Sequence, residues 1–502
     1  MLFSDQRLTG YTKINLKKVN NLDRPGAHMG LEDLGAQHWL ALVEYELLLF
    51  AGFFFLIGAL DELAVDIVWG WLRLTGRARA FTFPRAQACE HQLAGRAAVF
   101  IPTWQEDRVI SDTIAHALAA WKQTDLRLFV GCYGNDAATV EAAMRGTGLD
   151  PRVRLVVHDN AGPTTKADCL NRLYRAMEDD ERRTGIRFRM VLLHDAEDMV
   201  DSAALGLLDQ AMDGADFVQL PVLPVPQRDS RWVGSHYCEE FAEAHGKTLV
   251  VRDALTASLP AAGVGCVFGR DMLERVGMGH WGEAQASGPF SVESLTEDYE
   301  LGLKVAELGG QSRFLRVRDE HGRLVATRAY FPGRIDSAVR QKSRWVHGIA
   351  LQGWERLGWT GGPGEFWMRL RDRRGLLSAL VLLSGYALLV LAVISAVLSL
   401  FGQETTWHDD RVVLLLVYAN LASFVWRAMM RFAFTAREYG AAEGARSVLR
   451  IPVSNIIAIL AARRALSAYL RTLAGSPVTW EKTDHDAHPV REQAMPELKV
   501  AA

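Results

Sequence analysis

Leu376 to Phe401 runs without a single charge, and a chain that contains such a stretch must fold so that water is kept from it. A hydrocarbon core of about 30 Å asks for ~20 apolar residues in a helix, so this run predicts a transmembrane helix. Val412 to Trp426 predicts a shorter second one, with Arg427 snorkelling to the interface. Arg369, Arg371, Arg373 and Arg374 precede the first span, and Arg427, Arg431 and Arg437 follow the second, while the loop between them carries Glu404, Asp409 and Asp410. Basic flanks stay on the cytoplasmic side. Residues 402–411 are therefore expected outside, and the chain on either side of the pair inside.

The rest of the chain divides around that pair. Residues 1–38 are polar and read as an arm, placed outside by the first span; its sequence lacks the order of a cleaved signal peptide, so Met1 to Gln37 is expected to be retained. Trp39 to Leu60 reads as that span, with Glu44 and Glu46 near one interface, and Asp61 to Leu72 as a helix lying along the membrane surface. Ile451 to Leu470, interrupted by Arg463 and Arg464, reads as an interfacial helix within a carboxyl-terminal segment 451–502 whose tail is cytoplasmic. Two spans fill 376–432, and a globular domain is expected over 90–350.

Bulk charge excludes one class of partner. Lys plus Arg number 56 against 59 for Asp plus Glu, which argues against nucleic acid. The five cysteines form no CxxC pair or Cys/His cluster and read as reduced and buried, in keeping with a cytoplasmic compartment.

Within the globular segment Ala97–Ile101, Leu126–Gly131, Val153–Val157, Met190–Leu193 and Phe217–Pro221 are short apolar runs separated by amphipathic stretches. That βαβα order predicts an α/β, mainly parallel sheet with helices on both faces. Ligands of such sheets bind at the carboxyl ends of the strands, and there the polar residues gather. His194-Asp195-Ala196-Glu197-Asp198 follows the fourth run. Clustered carboxylates repel unless a cation joins them, and hard oxygen donors suit Mg2+ or Mn2+; a plain helix start is the other reading. Asp107 and Asp136 follow the first and second runs and suit a base or ribose, or simply open helices. Lys166 opens a helix, where a lysine suits a diphosphate or is simply an ordinary surface lysine. Thr296-Glu297-Asp298 reads either as chemistry or as a capped helix start, and Gln341 to Trp345 either as chemistry or as an interface anchor. Gly263 to Gly269 has the wrong spacing for a dinucleotide loop, and His485 and His488 read as part of a solvated tail.

Taken in order, IPTWQED (101–107), TTKADCLN (164–171), LHDAED (193–198), TED (296–298) and QKSRW (341–345) resemble the motifs of glycosyltransferase family 2, in its membrane-bound, cellulose-synthase-like branch. The likeness implies a GT-A fold (Rossmann-like) with flanking transmembrane and interfacial helices. It implies an inverting, hexosyltransferase-like enzyme in which Thr103, Glu106, Asp107, Asp136, Lys166, Asp195, Gln341 and Arg344 bind a nucleoside-diphosphate sugar, a UDP-sugar being favoured. Asp195, Glu197 and Asp198 at the DxD motif would hold Mg2+ or Mn2+. Asp298 would be the catalytic base, and Glu297, Cys266 and Trp345, the last from the QxxRW motif, would meet the acceptor. The sequence departs from the pattern in reading Asp-Ala-Glu-Asp at the metal motif, in lacking a PilZ-like RxxxR signature, and in having fewer spans than cellulose synthases.

The function implied is synthesis of an exported surface polysaccharide at a bacterial inner membrane, from a cytoplasmic catalytic domain. Its partners would be a glycan or lipid-linked acceptor, membrane lipid and an outer-membrane export protein. Single-sugar transfer to a lipid carrier, and a non-catalytic membrane scaffold for export or phage entry, are the competing readings. Intact Lys166, Asp195, Asp298 and Arg344 count against the scaffold.

Overall fold

The apolar stretch that begins at Trp39 does not turn at Asp61: it forms one helix, α1 (Ala36–Leu74). This is the computed structural model, which describes residues 36–78, 81–279, 288–400, 410–475 and 487–491. The expected change of direction is absent because the acids that suggested it find partners. Asp61 pairs with Arg371 and Arg374, and Glu62 with the same two arginines at 2.8 and 2.5 Å. Asp66 accepts from Lys247 Nζ at 2.5 Å and from Trp426 Nε1 at 2.8 Å. Buried charges persist only when paired in this way. The helix therefore continues for roughly 58 Å at about 1.5 Å per residue.

Seven strands form the main sheet: β1 (Arg96–Pro102), β2 (Leu126–Tyr133), β3 (Val153–His158), β4 (Phe188–Leu193), β5 (Phe217–Gln219), β6 (Cys266–Gly269) and β7 (Ser312–Phe314). Their order is β3-β2-β1-β4-β6-β5-β7. The pairs β3/β2, β2/β1, β1/β4 and β5/β7 are parallel, as the apolar runs predict. The glycine-rich stretch discounted as a dinucleotide loop contributes β6, inserted antiparallel between β4 and β5.

Alternate residues explain why these strands read as unbroken apolar runs. Val99, Ile101, Leu128, Val130 and Leu192 pack into one core, while Ala98, Phe100, Phe129, Val191 and Leu193 pack into another across the sheet. Each fully buried aliphatic or aromatic side chain contributes roughly 1.5–3 kcal/mol, so the middles of the central strands are apolar on both faces.

Six further helices matter to the site and the membrane: α2 (Lys166–Thr184), α3 (Glu297–Glu307), α4 (Ile335–Trp345), α5 (Gly375–Ser399), α6 (Arg411–Tyr439) and α7 (Ile451–Leu473). Among the described residues four segments are long and apolar enough to cross a membrane, namely Trp39–Leu74, α5, α6 and α7. The last, expected from its arginines to be interfacial, has 23 residues, enough for a span, although it is less apolar than α5. It packs against both α4 and α5, joining the membrane helices to the helix that carries QKSRW. The arm before residue 36 and the loop at 401–409, where the outward-facing turn was expected, lie outside the described residues.

Candidate functional site

Strand ends and two helix starts converge on one cavity of about 120 Å³, lined by Thr103, Trp104, Tyr133, Thr164, Lys166, Asp195, Glu197, Thr296, Glu297, Asp298, Gln341, Arg344 and Trp345, among others. It adjoins a second space of about 440 Å³, with Thr165, Lys166, Leu295 and Glu297 lining both.

The loop after β4 is shaped by a residue that does not face the cavity. Asp198 is buried; its Oδ2 accepts from the Asp195 amide at 3.0 Å and from His194 Nδ1 at 2.8 Å. That closed turn presents Asp195 and Glu197 and turns Asp198 inward, so the carboxylate expected among the metal ligands is used as a brace. The turn has a second support from far along the chain. His488 Nε2 donates to the Asp198 carbonyl, and Arg491 pairs with Asp112 at 2.5 Å. The segment read as a solvated tail is thus partly packed: His488 is fully buried, while His485 lies outside the described residues.

Lys166 stands at the first turn of α2, where Thr165 caps the helix by accepting from the Asp168 amide at 3.1 Å. Its Nζ lies 2.6 Å from Asp195 Oδ1 and 4.0 Å from Glu297 Oε1. Burial alone would favour the neutral amine, yet Asp195, Glu297 and Asp298 outweigh it and hold Lys166 charged, well above the ordinary lysine range.

Glu297 and Asp298 open α3. Thr296, at the cap position, makes no cap hydrogen bond; its hydroxyl is buried at the cavity wall without a partner. Burial pushes the Asp298 carboxyl above its usual range, with Lys166 opposing. Burial and the adjacent charge of Asp298 push Glu297 up to about 7. Asp298 fits only because of Gly263. At φ +75° this residue is in the left-handed region, and a Cβ built there would lie 2.2 Å from Asp298 Oδ2. From α4, Gln341 lines the cavity with a buried Oε1 that has no hydrogen-bond partner. Trp345 lines it too and packs against Tyr237 and Phe241, at ring separations of 6.1 and 6.3 Å.

Several expected ligands stand behind the site. Thr103 reaches the cavity but also donates to the Gly131 carbonyl at 2.7 Å, tying β1 to β2. Asp136 caps the helix Ala137–Thr147 and accepts from the Gln105 amide at 2.5 Å. Glu106 is buried next to it, its amide donating to Thr139 Oγ1 at 2.9 Å. Asp107 is exposed. None of these three acids lines the cavity, and Cys266, fully buried in the core, does not reach it either. Sequence reasoning missed Trp104, Tyr133 and Thr164. The two rings meet edge to face at 5.3 Å, and Tyr133 shares a 2.6 Å hydrogen bond with Thr164. Tyr133 ends β2, so its place at a carboxyl strand end was the available signal.

The charges lining the cavity are Asp195, Glu197, Glu297 and Asp298 against Lys166 and Arg344, an excess of hard oxygen donors that fits a divalent cation. Among the described residues no three acidic, histidine or cysteine side chains converge closely enough to hold one alone. An ion here would complete its shell with substrate phosphates and water, as Mg2+ ordinarily does.

The family described as "Glycosyltransferase like family 2" matches residues 94–348. The chain is 32% identical over 461 residues to "Bacteriophage adsorption protein B" of Escherichia coli (strain K12), and equally to "Bacteriophage N4 adsorption protein B" of Escherichia coli O157:H7. The alignment covers 86% of this chain and 60% of each relative. Among solved structures, the mannosyltransferase PcManGT from Pyrobaculum calidifontis, in complex with GDP-Man and Mn2+, superposes with a TM-score of 0.47 at 16% identity, over 82% of this chain and 99% of that one.

Proposed function

The chain belongs to glycosyltransferase-like family 2, and from that premise we propose that it transfers a sugar, with inversion, from a nucleoside-diphosphate sugar to a glycan acceptor at the bacterial inner membrane, in the synthesis of an exported polysaccharide. One observation carries the reading: the Lys166–Asp195 pair and Asp298 face a single cavity from different elements of the fold. A scaffold needs no such convergence of buried charge.

Direct displacement sets two tasks, stabilising a departing diphosphate and removing a proton from the acceptor hydroxyl. Lys166 and Arg344 supply fixed positive charge for the first, aimed where negative charge develops. Mg2+ or Mn2+ held by Asp195 and Glu197 would add Lewis-acid neutralisation of the diphosphate. Asp298 takes the proton, its burial raising it toward working pH. Gln341 offers an unpartnered acceptor to a substrate hydroxyl, and the Trp345 ring, held from behind by Tyr237 and Phe241, gives a flat surface for a sugar. Trp104 and Tyr133 wall the side beneath β1 and β2, where the nucleoside is assigned.

Incubating membranes that contain the full chain with a panel of labelled nucleotide sugars tests the reading. Incorporation of one label into a polymer supports it, incorporation into a single-sugar lipid product favours the lipid-carrier reaction, and hydrolysis-free inertness toward every donor overturns both.

A further inference from the structure

The second space, of about 440 Å³, is not used by the donor chemistry. It opens onto the cleft at Lys166 and Glu297, next to Asp298, and extends from there between two walls. One wall is the loop 292–295 that leads into α3. The other is the helical stretch that follows QKSRW, a π-helix (Val346–Gln352) and the turns Gly353–Leu357, which contribute Gln352, Glu355 and Arg356. Gln352 ties the walls together, its Oε1 accepting from the Leu295 amide at 3.2 Å.

The lining decides what can enter. Its two cations are both engaged: Lys166 by Asp195 at 2.6 Å, and Arg356 by Glu300 at 2.9 Å, Glu293 at 3.1 Å and Ser291 at 2.6 Å. Against them stand the carboxylates of Glu293, Glu297 and Glu355. A phosphate would meet these acids with no uncommitted cation to receive it, and like charges set side by side are costly.

A sugar meets the opposite reception. Its hydroxyls donate to carboxylates, which only accept, and accept from amide N–H groups. Gln352 supplies such an amide: with its Oε1 held by Leu295, its Nε2 lies 3.5 Å from the Glu293 carbonyl, beyond the ~3.2 Å of a good N–H···O bond. Val292 and Leu295 give apolar surface for the faces of sugar rings. At the outer side Glu355 accepts from the hydroxyl of Tyr469 on α7, one of the segments long and apolar enough to cross a membrane. The space thus joins the neighbourhood of Asp298 to the membrane-helix set. Its volume falls within the ~300–1,000 Å³ of small-molecule sites.

We propose that this space is the berth of a glycan acceptor: the accepting sugar sits beside Asp298, and the uncharged sugar units behind it lie along Gln352, Glu355 and the 292–295 loop. The inference rests on the sugar-transfer reading and narrows it, because the berth takes a saccharide chain and refuses a phosphate.

The test fills the space. Glu355 is exposed, so Glu355→Cys is a surface change, and its thiol is modified with methyl or benzyl methanethiosulfonate in membranes that contain the full chain. Wild type treated alike controls for the native cysteines, four of which are buried. Incorporation of label from the nucleotide-sugar panel is measured beside donor binding by calorimetry on the purified protein. The unmodified and methyl forms should incorporate label as wild type does. The benzyl form should lose at least about tenfold, the worth of one hydrogen bond to a charged group, while its donor binding persists. Undiminished incorporation in the benzyl form overturns the berth, and so does loss of donor binding, which would give the space to the donor. Glu355→Arg tests the chemistry of the occupant: incorporation should fall, and a rise, with the label in a lipid-extractable product, overturns the saccharide in favour of a phosphate. Wild-type membranes inert toward every donor would remove the transfer reading itself, and the berth with it.

Discussion

His488 Nε2 lies 3.3 Å from the backbone carbonyl oxygen of Asp198, so a residue near the end of the described chain holds the turn that presents Asp195 and Glu197. Its tautomer follows from its neighbours, since Nδ1 accepts from the Val490 amide at 3.3 Å and Nε2 must donate. Burial pushes the imidazole down to about 4, so it is neutral at physiological pH. Removing a neutral hydrogen bond costs about 0.5–1.5 kcal/mol. His488→Ala is expected to raise the donor KM several-fold with a smaller change in kcat, and His488→Gln, which can still donate, to restore part of it. Unchanged donor KM in the alanine variant would detach the segment from the site.

Asp298→Asn keeps the shape of the side chain against Gly263 but cannot accept a proton. Loss of a general base costs ~10² to 10⁴-fold. Turnover should fall by that amount while binding of the nucleoside-diphosphate donor, measured by calorimetry, persists. More than a tenth of wild-type turnover would remove Asp298 from the role.

The pH profile carries the mark of the buried acids. A carboxyl whose pKa is raised binds its proton more tightly, so the active, ionised form is lost as pH falls through a value above the ordinary range. With Glu297 at about 7 and Asp298 also raised, kcat/KM should fall on the acid side well above pH 4.5. Lys166 pulls both carboxyls down, so in Lys166→Met the residual activity should lose its acid limb at higher pH still. A limb that moves down, or stays put, contradicts this electrostatic account.

EDTA should abolish transfer and added Mg2+ or Mn2+ restore it, whereas Asp195→Ala should resist rescue by excess metal. Full turnover in metal-free buffer would return the acids after β4 to a purely structural role.

Reporter fusions within Gly402 to Asp409 should read as periplasmic, and fusions beside Arg374 or after Arg437 as cytoplasmic, because basic flanks are retained inside. A cytoplasmic reporter at 402–409 would set the catalytic domain on the side away from its donor and defeat the transferase reading.

What the sequence disclosed follows physical locality. Met190 to Leu193 advertises a strand because both faces are buried, and the acids after it declare a strand end because no core admits them. The motif residues Lys166, Asp195, Asp298, Gln341 and Arg344 therefore meet as expected. Relationships across the chain left no such mark. Nothing near Asp61 announces that Arg371 will neutralise it, so a continuous helix looked like a broken one. Asp198 and Asp195 are both acids in one loop, and only the turn they build sets one toward the cavity and the other away from it. Gly263 is legible as a glycine but not as the space Asp298 occupies, and His488 has no neighbour in sequence that hints at its seat beneath the loop after β4.

Lys247 is wholly buried and contacts both Asp66 of α1 and Glu243, which also holds Arg427 of α6 at 2.8 Å. Such a joint ties the globular domain to two helices long and apolar enough to cross a membrane, and on the membrane reading proposed above it holds the cleft at one height above the bilayer. For an acceptor anchored in lipid, encounter is then a lateral search in two dimensions, with the enzyme as a stationary post. Lengthening the acceptor's stem beyond that height would lower its rate of use even with its sugar unchanged.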